Sequence, residues 1–143
     1  MSLREIFQEI LNRVKPEEQY LSTENFSPSD VLGKVVENCL TIEEPKKFKV
    51  CIVKILDKEF NTFDKAVNKC YSIYRKNKNF DEFVSCVIDE VSKKGSQLTN
   101  LINYCKSSLK SQSLKDLYDC VYSGLEVINE VTNKTIKELS KKK

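Results

Sequence analysis

The six cysteines are the residues of this chain with the most evident chemistry, because thiols can form disulfides, bind metals or act as nucleophiles. They form two series along the sequence. The first series has spacings of 31 and 35 residues and consists of Cys39, Cys70 and Cys105. The second has spacings of 35 and 34 residues and consists of Cys51, Cys86 and Cys120. Two series in near step predict a structural repeat of roughly 34 residues.

Apolar residues stand at fixed offsets from these cysteines. Three residues before each second-series cysteine are Phe48, Phe83 and Leu117, and five residues after it are Leu56, Val91 and Leu125. Four residues before each first-series cysteine are Val35, Ala66 and Leu101. Such offsets mark one face of a helix. Each unit therefore predicts a helix, a turn and a second helix, with one cysteine late in the first helix and another early in the second.

Disulfide formation is the chemistry that this arrangement favours. In an antiparallel hairpin, cysteines about five residues from the turn end of each helix face each other, because both helices have the same rise. The predicted pairs are Cys39 with Cys51, Cys70 with Cys86, and Cys105 with Cys120. Each disulfide would stabilise the fold by about 3 kcal/mol in the chain-entropy model. The alternative is six reduced core residues, because free cysteine is among the most buried residue types.

Catalysis and metal binding lack the residues they need. The chain has no histidine, so it has no imidazole base for a nucleophile, and it has no C-x-x-C pair for a zinc site. Neighbouring carboxylates at Glu43-Glu44 and Asp81-Glu82 fit solvated first turns of helices better than an acid–base pair. Three glycines match no phosphate-binding loop. We expect a protein that is not an enzyme, with no cofactor and no metal.

The elements that must position the cysteines are helices. Three Gly and three Pro in 143 residues leave little material for the turns of a β fold, and 40% hydrophobic with 31% charged residues is typical of a globular domain. We predict a single all-α domain, a compact bundle of about seven helices. Its parts are an N-terminal helix over 1–15, helical-hairpin repeats over 29–60, 62–94 and 96–128, and a frayed tail over 140–143.

Several residue types mark helix ends. Lys15-Pro16 is expected to end the first helix, and Ser29 or Asp30 to cap the second. Pro45 is expected to open the third helix. Four further predictions follow the same signals: a cap at Asn61 or Thr62, a turn at 77–79, a stop at Lys93-Lys94-Gly95, and a last helix from Leu114 that continues toward Leu139.

Apolar runs are too short to predict membrane insertion. The charged segment from Met1 to Val14 does not match a signal peptide, so the chain is either cytosolic or a mature secreted chain with an added Met. Regularly spaced cysteines without histidine favour secretion, with the signal peptide outside this sequence. The sequons Asn25-Phe26-Ser27 and Asn133-Lys134-Thr135 are compatible with this interpretation.

Charged and aromatic residues indicate candidate contact surfaces. The formal charge of +3 arises from 24 basic and 21 acidic residues, a mixture that does not predict nucleic acid binding. Basic edges at Arg75-Lys76-Asn77-Lys78 and around Lys106, Lys110 and Lys115 would contact acidic partners or simply face solvent. Five tyrosines near the cysteines are candidates for a recognition surface: Tyr71, Tyr74, Tyr104, Tyr118 and Tyr122. The alternative is that they pack at the edges of the hairpins.

Two segments contain a cysteine, a tyrosine and a cysteine in order: Cys70 to Cys86 through Tyr71 or Tyr74, and Cys105 to Cys120 through Tyr118. This pattern, over about residues 30 to 128, resembles the paired motifs of the aphid Bicycle proteins, secreted salivary effectors associated with plant galls. The third cysteine pair of this chain has no tyrosine between its members, which departs from the motif. The resemblance implies a non-enzymatic insect protein delivered into a host plant.

Three functions fit these observations. The first is a secreted, disulfide-stabilised helical protein that binds another macromolecule, such as a host protein. The second is an extracellular carrier of a small apolar ligand, although odorant-binding proteins have two cysteines only four positions apart and this chain does not. The third is a cytosolic helical-repeat scaffold with a period like that of tetratricopeptide repeats, whose tryptophan and glycine signature is missing here. The sequence does not specify the oligomeric state.

Overall fold

The computed structural model describes residues 2–14, 27–109 and 111–141 of the chain. These ranges contain seven helical segments. They are α1 (Leu3–Asn12), α2 (Pro28–Val31), the 3-10 helix η1 (Gly33–Cys39), α3 (Pro45–Asn77), α4 (Phe80–Lys93), α5 (Thr99–Ser108) and α6 (Leu114–Lys141). These ranges contain no β-strand. The prediction of an all-α fold with about seven helices is confirmed.

Capping side chains fix where the long helices begin. The carboxylate of Glu44 accepts hydrogen bonds from the backbone N–H groups of Lys46 and Lys47, and Pro45 occupies the first helical position of α3. The side chain of Asn79 accepts a hydrogen bond at 3.1 Å from a backbone N–H in the first turn of α4. Both caps satisfy donors that the helix itself leaves unpaired. The predicted start at Pro45 is confirmed.

The helix α3 is one continuous helix of 33 residues, whereas the sequence predicts two helices with a new start at Asn61 or Thr62. The Thr62 hydroxyl donates to the carbonyl of Lys58 at 2.8 Å, a bond back to the preceding turn that keeps the residue inside the helix. No Gly or Pro follows Pro45 within α3. The helix therefore continues through Asn61 and Thr62, and the predicted cap is wrong.

The segment before α3 is less regular than the sequence predicts. A single α-helix capped by Ser29 or Asp30 is expected there, but the structure has the four-residue α2, which starts at Pro28, followed by η1. Backbone angles at Val36 (φ −113°, ψ 18°) are not helical. Pro28 suits a first helical position, and Gly33 is a poor helix former, so the α-helix starts two or three residues before the predicted start and stops short.

The two ends of the chain also differ from the prediction. The helix α1 ends at Asn12, and the predicted stop at Lys15-Pro16 lies outside the described residues together with the rest of 15–26. The helix α6 continues to Lys141, so Ser140 and Lys141 are helical where the sequence predicts a frayed tail. The last two residues lie outside the described part. The division into repeats over 29–60, 62–94 and 96–128 stays a prediction.

Helix α6 lies against three others, because it packs on α1, α3 and α5. Helix α3 in turn packs on α4 and η1. All seven segments contribute to one apolar cluster, whose largest fully buried side chains include Phe7, Phe48, Phe63, Phe83, Leu32, Leu101 and Leu117. The bundle thus places α3 between α4 on one side and α6 on another, which creates a groove along each side of this helix.

Candidate functional site

Three disulfides join the cysteines in the pairs that the sequence predicts: Cys39–Cys51, Cys70–Cys86 and Cys105–Cys120. Their Cα–Cα distances are 5.8, 5.9 and 5.9 Å. The second cysteine of each pair lies six residues after the first residue of its helix, α3, α4 or α6. The bonds therefore tie η1 to α3, α3 to α4, and α5 to α6. Three intramolecular disulfides are typical of an oxidising, extracellular environment.

An aromatic cluster lies between α3 and α6. The ring of Phe60 meets Tyr118 at a centroid distance of 5.8 Å and Tyr122 at 5.7 Å, both in edge-to-face geometry. Such pairs add to the stabilisation from burial alone. The hydroxyl of Tyr118 donates to Oδ1 of Asp64 at 3.3 Å. The cluster thus brings together two of the five tyrosines that the sequence predicts as a recognition surface.

This cluster borders a surface groove of about 420 Å³ that we call the α3–α6 groove. Its lining consists of Val53, Leu56, Asp57, Phe60, Asn61, Tyr122, Leu125, Glu126 and Asn129. Two large side chains remain open to solvent, with exposures of 39% for Val53 and 47% for Tyr122. An exposed aromatic ring beside apolar side chains, with polar groups around them, has the composition of a protein contact site.

The phenols of the groove remain protonated well above neutral pH. The pKa of Tyr122 is raised because its hydroxyl donates a hydrogen bond to Glu126, whose negative charge also opposes ionisation. The pKa of Tyr118 is raised mainly by burial, and the carboxylate of Asp64 adds to the effect. Both hydroxyls therefore act as hydrogen-bond donors.

The other three predicted tyrosines lie elsewhere. Tyr74 packs on Phe83 of α4 at 5.7 Å, and the Lys78 ammonium lies 5.5 Å from the Tyr74 ring centroid. Tyr104 of α5 is half-buried, and burial raises its pKa. Tyr71 of α3 is 41% exposed. A recognition surface that includes all five tyrosines stays a prediction, because the contacts unite only Tyr118 and Tyr122.

A second cavity, which we call the α3–α4 cleft, lies on the other side of α3 and has a volume of about 600 Å³. Its lining consists of Lys58, Asn61, Thr62, Lys65, Ala66, Lys69, Glu90 and Lys94. The basic edges predicted from the sequence do not include this cluster of lysines. Lysines 7 and 4 residues apart on α3 share one helix face, and this spacing was the available signal. Asn61 lines both the cleft and the α3–α6 groove.

Glu90 is the acidic residue of the cleft, and two lysines hold it. Its carboxylate lies 3.1 Å from the Lys69 ammonium and 3.5 Å from that of Lys93. The hydrogen bond from Lys69 is the main reason that the pKa of Glu90 is lowered, with the charges of both lysines adding to it. Glu90 is therefore ionised at neutral pH and offsets part of the positive charge of the cleft.

The basic edges that the sequence predicts are less concentrated. Lys106 forms an ion pair with Asp81 at 3.4 Å, and Lys78 lies over Tyr74. Lys110 lies outside the described residues. Arg75, Lys76 and Lys115 form no ion pair within the described ranges, so the edges keep exposed positive charge near the end of α3 and the start of α6.

Within 2–14, 27–109 and 111–141, no three acidic, histidine or cysteine side chains are grouped so that they could hold a metal ion. No helix in the described part of the chain combines the length and apolar character needed to cross a membrane.

Comparisons with models of known protein families, with curated proteins and with solved structures gave no match.

Proposed function

We propose that this chain is a secreted, disulfide-stabilised helical protein that acts by binding another protein through the α3–α6 groove. The observation that carries the proposal is the pair Phe60–Tyr122, an aromatic pair whose outer ring is 47% exposed. Large exposed aromatic residues dominate the energy of many protein interfaces. The chain contains no histidine that could act as a catalytic base.

The helices that form the groove are held in place covalently. Helix α3 takes part in two disulfides, and α6 is bonded to α5 through Cys120, which lies between Tyr118 and Tyr122 in the sequence. A surface that is ordered before binding loses less conformational entropy when the partner arrives. The disulfides thus support a binding role directly, beyond their contribution to stability.

The three intramolecular disulfides support an extracellular protein over the cytosolic scaffold, because cytosolic thiols are normally kept reduced. The resemblance of the cysteine-tyrosine-cysteine segments to the aphid Bicycle proteins supplies the more specific proposal. On that basis the chain is an insect salivary effector, and its partner is a protein of the host plant.

The groove also bears on the carrier function. Its volume of about 420 Å³ falls within the range of sites for small molecules. Four polar residues contribute to the lining, namely Asp57, Asn61, Glu126 and Asn129. An apolar ligand would offer these polar groups no hydrogen bonds in place of those they make to water, so we rank the carrier second.

The test compares two tyrosines of similar exposure. Oxidised protein carrying Tyr122→Ala, and a matched Tyr71→Ala variant outside the groove, are each used to capture partners from extracts of candidate host plants. Capture is followed by binding measurements with the purified partner. We expect Tyr122→Ala to weaken binding by at least about tenfold, because a hot-spot residue contributes about 2 kcal/mol or more and each 1.4 kcal/mol is a factor of about ten. Tyr71→Ala should leave binding within about twofold.

Three outcomes would count against the proposal. Loss of binding in Tyr71→Ala with none in Tyr122→Ala would place the surface elsewhere on α3. Retained binding after reduction and alkylation of all three disulfides would remove the role of the rigid scaffold. Binding of a fluorescent fatty acid probe that Tyr122→Ala weakens, with no protein partner captured, would favour the carrier.

A further inference from the structure

We propose that the α3–α4 cleft is a second binding site, which shares only Asn61 with the α3–α6 groove, and that it takes a linear acidic oligosaccharide. The first observation is charge. Four lysines line the cleft, and Lys58, Lys65 and Lys94 form no ion pair with any residue in the described ranges. Their side chains are exposed, and their positive charges are therefore available to a ligand.

The second observation is the arrangement of these charges. Lys58, Lys65 and Lys69 lie on one face of α3 at spacings of 7 and 4 residues. At the α-helical rise, this row extends over roughly 16 Å. A row of this length suits an extended chain that carries several negative groups better than it suits a single phosphate ion. Lys94 adds positive charge from the opposite wall of the cleft.

The third observation is the uncharged polar lining. Asn61 and Thr62 stand between Lys58 and Lys65 along α3. The amide of Asn61 offers both donors and an acceptor, and the Thr62 hydroxyl has a lone pair left after donating to the Lys58 carbonyl. These groups match the hydroxyls of a sugar chain placed between its acidic substituents.

The chemistry of the lining also separates this ligand from nucleic acid. The cleft has no aromatic side chain on which a base could stack and no arginine for bidentate contacts to bases or phosphates. Proteins that bind single strands normally use aromatic stacking together with positive charge. Lysine ammonium groups act as point charges that can bind either a carboxylate or a sulfate.

The test measures fluorescence anisotropy of two labelled probes with the oxidised full chain: an oligogalacturonate, which carries carboxylates, and a heparin-derived oligosaccharide, which carries sulfates. Binding of either probe supports the proposal, and their relative affinities identify the preferred acidic group. Affinity should fall as salt is raised from about 50 to about 200 mM, because ionic contacts are screened. The variant Lys58→Ala/Lys65→Ala should weaken binding at least about tenfold.

A matched control removes the same charge elsewhere. Lys34→Ala/Lys137→Ala substitutes two exposed lysines that belong neither to the cleft nor to the predicted basic edges, and it should leave the affinity within about twofold. Glu90→Gln should increase affinity, because it removes the negative charge of the cleft and frees Lys69. Circular dichroism of every variant verifies that the fold is retained.

The proposal is overturned by any of three results. The first is that neither oligosaccharide binds, and the second is that the cleft variant and the control lose equal affinity. The third is tighter binding of single-stranded DNA or of anionic phosphatidylserine vesicles than of an oligosaccharide with the same number of charges. None of these results bears on Tyr122, so failure here is distinguishable from failure of the proposed protein-binding function.

Discussion

The ammonium of Lys69 lies 3.1 Å from Oε2 of Glu90, and this contact bridges the two walls of the α3–α4 cleft. The disulfide Cys70–Cys86 joins the same two helices, with its first cysteine next to Lys69 in the sequence. A covalent bond and an ion pair thus connect α3 and α4 close together. The ionised state of Glu90 should consequently affect stability in a way that depends on pH.

The first prediction concerns acid. The pKa of Glu90 in the folded protein is below its ordinary value of 4.5, so folding favours the carboxylate. Its contribution to stability is therefore present above about pH 4.5 and is lost as pH falls through the lowered pKa. The free energy of unfolding in urea, measured at about pH 6 and about pH 3, should drop less for Glu90→Gln than for wild type. An equal drop would contradict the assignment, and exposed Glu130→Gln is the control.

The second prediction concerns Tyr122. Glu126 raises the pKa of the Tyr122 phenol. The variant Glu126→Gln should therefore lower this pKa toward the ordinary tyrosine value of 10.0. Ultraviolet absorption of tyrosinate between about pH 9 and about pH 12 follows the change, and Tyr122→Phe identifies the contribution of this residue. An unaltered titration curve in Glu126→Gln would show that the hydrogen bond is absent.

The third prediction concerns Gly124, which is buried in α6. A Cβ atom there would lie 2.9 Å from both methyl carbons of Leu101 and 3.2 Å from a methyl of Leu32. Overpacking costs about 1–3 kcal/mol, whereas Ala in a helix gains up to about 1 kcal/mol over Gly. We expect Gly124→Ala to destabilise the protein by about 1 kcal/mol in urea unfolding. The exposed change Ser85→Ala should have a smaller effect, and a stabilised Gly124→Ala would contradict the close packing.

The fourth prediction concerns the disulfide between α3 and α4. Its cysteines are separated by 16 residues. In the chain-entropy model, a cross-link that closes a loop of this size stabilises the fold by about 3 kcal/mol, because it restricts the unfolded chain. Cys70→Ala/Cys86→Ala should therefore lower the free energy of unfolding by about that amount while the helical circular dichroism spectrum is retained below the transition. A loss below about 0.5 kcal/mol would mean that this disulfide does not constrain the unfolded chain.

Local signals predicted some helix boundaries and not others. The end of α4 followed from Lys93-Lys94-Gly95, since Gly95 adopts φ +73°, where glycine is favoured. The continuity of α3 did not follow, because Thr62 is a residue type that either caps a helix or bonds back within one. Only the packing of α3 against its neighbours selects between these two conformations.

The candidate sites show the same division. The disulfide pairs were predictable because the two cysteines of each pair lie close in sequence, on either side of one turn. The contact of Phe60 with Tyr122 joins residues 62 positions apart and depends on how α3 and α6 are aligned. The α3–α4 cleft likewise needs Glu90 from α4 and Lys94, which directly follows that helix. Relative helix positions depend on side-chain packing over the whole core, which no short sequence pattern specifies.

Covalent bonds between neighbouring helices hold the two proposed binding surfaces in place. The sharpest test is peptide mapping by mass spectrometry without reductant. The protein is secreted from eukaryotic cells, and its free thiols are blocked before digestion. We expect three cross-linked peptide pairs, Cys39 with Cys51, Cys70 with Cys86 and Cys105 with Cys120, and no blocked thiol. Cross-links between other cysteines, or six blocked thiols, would contradict this expectation.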